Sequence, residues 1–119
     1  MRRFVMWMRV GDDEMRLSDI ERRALAHALR DIGYPAEIFG SRLDNAARGG
    51  DIDLIVFAPN LAADERLRLS LRIAVAFRSV CDEKIDVHVL DPRDLTAAER
   101  AFLGVIRREP LYPGRLVGA

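Results

Sequence analysis

Phe39-Gly40-Ser41, then nine residues, then Asp51-Ile52-Asp53-Leu54 is the stretch on which the reading of this 119-residue chain turns. Side chains alternate across a strand, so both carboxylates of 51–54 fall on one face while Ile52 and Leu54 point into a core. Upstream, Ala36-Glu37-Ile38-Phe39 reads as a short strand that ends at Gly40-Ser41. Downstream, Lys84-Ile85-Asp86-Val87-His88-Val89 reads as a second apolar strand, with Asp86 and His88 on one face. If these strands are neighbours, three carboxylates converge on one patch.

Helices fill the space between. Ser18 with Glu21 three residues later is a capping-box pattern that opens a helix over 19–32, stopped by Gly33. Ile20, Ala24, Ala28 and Ile32 lie four apart and predict its apolar face. Residues 42–47 predict one or two helical turns, and Gly49-Gly50 breaks the chain before the strand over 51–57. Residues 62–80 predict a long helix, with Leu67, Leu71, Ala74, Val75 and Val80 available to one broad face. Thr96 with Glu99 repeats the capping box and opens a last helix over 97–108, burying Phe102, Val105 and Ile106. The Arg107-Arg108 pair suits that helix's negative end, and Pro110 and Pro113-Gly114 stop it.

This order predicts an α/β (α+β) fold: one small mixed β-sheet packed against helices. Residues 1–14 read as an N-terminal extension or edge strand, 15–112 as the domain and 113–119 as a tail. A start at Met15 would leave the domain intact, so residues 1–14 are expected to be dispensable for folding.

Bulk composition narrows the function. Half the residues are hydrophobic, enough for one core at this length. With 19 basic and 19 acidic residues the net charge is zero, which gives no overall attraction to nucleic acid or membrane. No stretch approaches the roughly 20 apolar residues of a membrane span. A single cysteine, Cys81, excludes an internal disulfide and fits a reducing cytoplasm.

The chemistry lies in the opening stretch. Two ionised carboxylates this close repel each other. A divalent cation resolves the conflict, and Mg²⁺ takes carboxylate together with phosphate oxygens. Glycine lets backbone approach a phosphate, free N–H groups at a helix start favour its charge, and the Ser41 hydroxyl can donate one more bond. Arg42 and Arg48 are candidate cationic partners for the same phosphates. Each residue also has a plainer reading: Gly40-Ser41 as an ordinary turn, the arginines as surface ion pairs, His88 and Cys81 as structural, His27 as solvated. Asp44, inside the loop, fits phosphate poorly.

Together, Gly-Ser, nine residues, Asp-hydrophobic-Asp and a later Asp in a hydrophobic strand resemble the signature of the DNA polymerase β-like nucleotidyltransferase superfamily. Phe39-Gly40-Ser41-Arg42 and Gly50-Asp51-Ile52-Asp53-Leu54, on so short a chain, resemble its minimal single-domain members over residues 15–112. The resemblance implies Asp51, Asp53 and Asp86 as catalytic residues holding two Mg²⁺ ions, with Mn²⁺ as a substitute. It implies Gly40, Ser41 and Arg42 as the phosphate-binding group for ATP or another nucleoside triphosphate. Attack of a hydroxyl on the α-phosphate would transfer AMP and release pyrophosphate. The implied partner is a separate helical protein, of the HEPN toxin type or a substrate-binding type, in a toxin–antitoxin pair. A non-catalytic subunit that neutralises such a partner is the alternative. A transferase acting on a small molecule is a third option, with a homo-oligomer rebuilding the acceptor side.

Overall fold

The computed structural model describes residues 15–43 and 50–116. The readings made for residues 1–14, Asp44, Arg48, Gly49 and 117–119 lie outside the described residues. The first helix, α1 (Asp19–Leu29), carries the expected capping box. The Glu21 N–H donates to Ser18 Oγ at 3.2 Å, and the Ser18 N–H donates to Glu21 Oε1 at 2.8 Å. The chain then turns through Gly33, at φ +77°, into β1 (Ala36–Phe39). A 3₁₀ turn over Gly40–Leu43 follows. It begins before the helix expected from 42 onward.

Strand β2 (Ile52–Phe57) is rich in β-branched residues and buried on both faces except at Asp53 and Phe57. Helix α2 (Ala63–Arg78) crosses to β3 (Ile85–Leu90), which pairs parallel to β2. The next helix, α3 (Ala97–Val105), opens on the Thr96–Glu99 capping box. Strand β4 (Arg108–Leu111) and the short helix α4 (Pro113–Leu116) complete the described fold.

The strands form one mixed sheet in the order β3-β2-β1-β4, with β1 antiparallel to both β2 and β4. Alternation splits its side chains between two faces. Ala36, Ile38, Ile52, Leu54, Val56 and Leu111 join Ala24, Leu25, Ala28 and Leu29 of α1 and Leu69, Ile73 and Phe77 of α2 in the main core. On the other face Phe39, Ile55 and Leu90 form a smaller core, covered by Phe102, Leu103 and Ile106 of α3 and its end. The expected architecture of a small mixed sheet packed against helices is therefore present.

Four details differ from the sequence reading. On α2 the buried stripe is Leu69, Ile73 and Phe77, while Leu67, Leu71, Val75 and Val80 are exposed. Leu67, Leu71 and Val75 are spaced four apart just as the buried set is, so periodicity alone could not choose between them. On α1 Ile20 is exposed, because Glu21 takes the inward position one residue on. The last helix stops at Val105, which is 83% exposed, and Arg108–Leu111 becomes a strand. Pro110 argued against a strand, yet proline is tolerated on an edge strand because no neighbour needs its N–H. Finally, the residues read as a tail begin as α4, whose Leu116 is buried in the main core. Among the described residues, no helix is long and apolar enough to cross a membrane.

Candidate active site

Register builds the site. In the parallel β2–β3 pair Asp53 lies opposite Asp86, and in the antiparallel β1–β2 pair Asp53 lies opposite Phe39. Phe39 in turn faces Arg108 of β4. A single row therefore runs across the sheet as Asp86, Asp53, Phe39, Arg108. It lies on the face that carries α3, whose Phe102 meets Phe39 edge to face at 5.2 Å between ring centroids. The next row begins with His88, whose ring is 5.7 Å from that of Phe39. His88 Nε2 lies 3.9 Å from Asp86 Oδ2, too long for a hydrogen bond, so His88 borders the acids without gripping them.

Asp53 is half-buried, while Asp51 and Asp86 are exposed. Burial pushes the Asp53 carboxyl above its ordinary value, and the charges of Asp86 and then Asp51 push it further. The three acids thus share one electrostatic field, as their alternation predicted. Oxygen donors under mutual repulsion suit a hard divalent cation. Among the described residues, no three His, Cys, Asp or Glu side chains are gathered closely enough to hold a metal ion by themselves. The acids form an open platform. That arrangement is compatible with Mg²⁺, which is usually held by one or two carboxylates, with water and substrate phosphate completing the shell.

The Gly-Ser turn is fitted against this platform. Gly40 has φ +87°, and a Cβ there would stand 2.6 Å from Asp53 Oδ2. Gly50 has φ +91°, and a Cβ there would collide with Ser41 Oγ. Each glycine therefore makes room for a side chain of the other segment. Gly40→Ala combines a left-handed backbone with a clash against the central acid. It is expected to cost about 2–3 kcal/mol, read as a lower melting temperature.

Arg42 departs from its expected role. Its side chain is 6% exposed and turns into the protein. Nη1 donates to Glu21 Oε1 and to the Arg16 carbonyl, both at 2.8 Å, and Nε donates to the Gly50 carbonyl at 3.1 Å. The hydrogen bond it donates to Glu21 holds the guanidinium firmly protonated. Burial pushes the Glu21 carboxyl up, but the Arg42 bond, the Ser18 N–H and the Arg42 charge outweigh it, leaving the group below its ordinary value. Arg42 is thus positioned to anchor the turn from inside, and its direct contact with phosphate is not supported by this geometry.

Two more arginines hold the same turn: Arg16, which the sequence reading did not single out, and Arg107, read as a helix-end charge. Arg16 Nη2 donates to the Ser41 carbonyl at 2.9 Å. Arg107 Nη1 donates to the Leu43 carbonyl at 2.9 Å across 64 residues of chain. Arg108, read as a helix-end charge, pairs instead with Glu37 at 2.6 Å. No local pattern marks such long-range bonds.

Elsewhere, a cleft of about 350 Å³ lies between α1 and α4, lined by Arg23, Ala26, His27, Arg30, Pro113 and Gly114. It is on the α1 side of the sheet and contains none of the three acids. Cys81 is buried and carries a free thiol. Compared with protein-family models and with curated proteins, the chain finds no match.

Proposed function

We propose that this chain is a Mg²⁺-dependent nucleotidyltransferase that passes AMP from ATP to a hydroxyl acceptor. The observation that carries the reading is the in-register pairing of Asp53 with Asp86, beside Asp51 and the Gly40-Ser41 turn. Asp51, Asp53 and Asp86 are the residues that would hold the metal. Bound there, Mg²⁺ supplies positive charge against the triphosphate and the incoming oxygen.

The chain's own residues do the positioning. Gly40 lets the turn pack directly against Asp53, and Ser41 offers a hydroxyl at the same edge. The acceptor oxygen bonds to the α-phosphorus, the bond from that phosphorus to the bridging oxygen breaks, and pyrophosphate leaves. The acceptor proton goes to solvent or to a carboxylate. No side chain need form a covalent intermediate, since such catalysis is mostly positioning and charge stabilisation. Because Asp53 is held above its ordinary value, protons compete with the cation, and metal affinity should rise with pH through that range.

The acceptor belongs to the same proposal. By the resemblance of its Gly-Ser and Asp-x-Asp stretch to the minimal nucleotidyltransferases, the proposed acceptor is a hydroxyl on a separate helical protein in the cytoplasm, in a toxin–antitoxin relationship. The alternative is a binding subunit that neutralises such a partner without turnover.

Calorimetric titration of the full chain with ATP tests the reading. Binding heat in Mg²⁺ that vanishes in EDTA is the expected result. Absence of heat in both conditions removes the triphosphate site from this chain and leaves the binding-subunit reading.

A further inference from the structure

The exposed side of α2 carries a pattern that the proposed chemistry does not use. Asp64, Leu67, Leu71, Val75 and Arg78 follow one another at spacings of three, four, four and three residues. Those spacings put all five on one stripe of the helix. Leu67 is 60% exposed, Leu71 54% and Val75 69%, on the side of α2 away from its buried Leu69, Ile73 and Phe77. The spacing reads the same in both directions about Leu71, while the charge changes sign from one end to the other.

A stripe that is palindromic in shape and opposite in charge is complementary to itself when two copies run antiparallel. In a two-fold pair each contact occurs twice, i to j and j to i. A two-fold axis at Leu71 brings Leu71 onto Leu71, Leu67 onto Val75 and Asp64 onto Arg78. The charged ends already have partners within the chain: Arg68 Nη2 lies 2.8 Å from Asp64, and Arg78 Nη2 lies 3.3 Å from Asp82. Those pairs are exposed and of the kind that contributes little, so exchanging them across an interface costs little.

We propose that α2 is a homodimerisation surface, joining two copies of this chain antiparallel through Leu67, Leu71 and Val75 with Asp64–Arg78 pairs at each end. The sheet separates this surface from the acids. The dimer therefore leaves both candidate sites open, unlike an association that would rebuild an acceptor side. One helix per copy is a small interface, below about 1,200 Å² in total, so dissociation on dilution is expected.

Sedimentation equilibrium on the full chain tests this. The wild type should show twice its monomer mass at about 100 µM and shift toward monomer on dilution into the range of weak interfaces. Leu71→Glu places two like charges on the axis and should give monomer throughout, with an unchanged circular-dichroism melt because the residue is exposed. Asp64→Arg and Arg78→Asp should each weaken association about 10-fold or more, and the double variant should restore it. A wild type that stays monomeric overturns the proposal and leaves the stripe to a different protein. Association that survives Leu71→Glu, or a double variant that fails to recover, overturns this face or its antiparallel register.

Discussion

Replacing Arg42 by methionine is expected to destabilise the fold by about 3–5 kcal/mol, the cost of leaving a buried charge without its partner. Glu21 would then be an ionised carboxylate, 6% exposed, without its guanidinium. The Arg16 and Gly50 carbonyls would lose donors at the same time. A loss of that size corresponds to a fall in melting temperature of roughly 12 °C or more for a domain of this size. The double variant Glu21→Leu/Arg42→Met should recover much of the loss, because removing both partners removes the stranded charge. Thermal and urea melts of the three proteins decide it. A single variant as stable as wild type would refute the anchoring role.

Acid gives an independent handle on the same pair. The Glu21 carboxyl lies below its ordinary value in the folded chain. Its contribution is therefore complete above the unfolded carboxylate range and lost as pH falls through the folded value. The wild type should lose melting temperature on acidification from this source, and the double variant should lose less.

Asp53→Asn is expected to have two opposite effects. As a direct metal ligand in the proposed reaction, Asp53 should be indispensable: nucleotide binding in Mg²⁺ should fall by roughly 100-fold or more, exceeding what loss of an outer-sphere partner costs. The metal-free fold should meanwhile become more stable by a few degrees. Asp53 is held above its ordinary value, so its ionisation weakens the fold as pH rises through the folded value. Asparagine removes that penalty at neutral pH, and its advantage should shrink below the ordinary aspartate range. Scanning fluorimetry across pH, paired with the ATP titration, separates the two effects. A variant that melts lower at neutral pH contradicts the electrostatic account. One that still binds ATP with Mg²⁺ contradicts the functional one.

The acids were legible because strand alternation is a local rule. Asp53 and Asp86 had to share a face once β2 and β3 were neighbours, and the crossover through α2 makes them parallel neighbours. The capping boxes at Ser18 and Thr96 were legible for the same reason, being patterns within four residues. What failed depended on distant partners. Glu21 was read as a cap, and it is one, but it also receives Arg42 from 21 residues away. That second bond turned Arg42 from a surface cation into a buried anchor. On α2 two apolar stripes competed, and only packing against the sheet selected Leu69, Ile73 and Phe77. Strand β4 was hidden by its proline and by a partner strand some 70 positions earlier in the chain.

That last pairing governs how the chain must assemble. Strand β1 sits inside the sheet, flanked by β2 and by β4, yet the two neighbours are made at very different times. During synthesis the β2 side can close early. The opposite edge of β1 must wait until Arg108–Leu111 has emerged, because those are the residues that cover it. Contacts between such distant segments bring a loop-closure cost before they bring any gain, and an open strand edge is a template for pairing with other chains. Until then β1 presents an unpaired edge, and β4 acts as a seal against aggregation as well as a part of the fold.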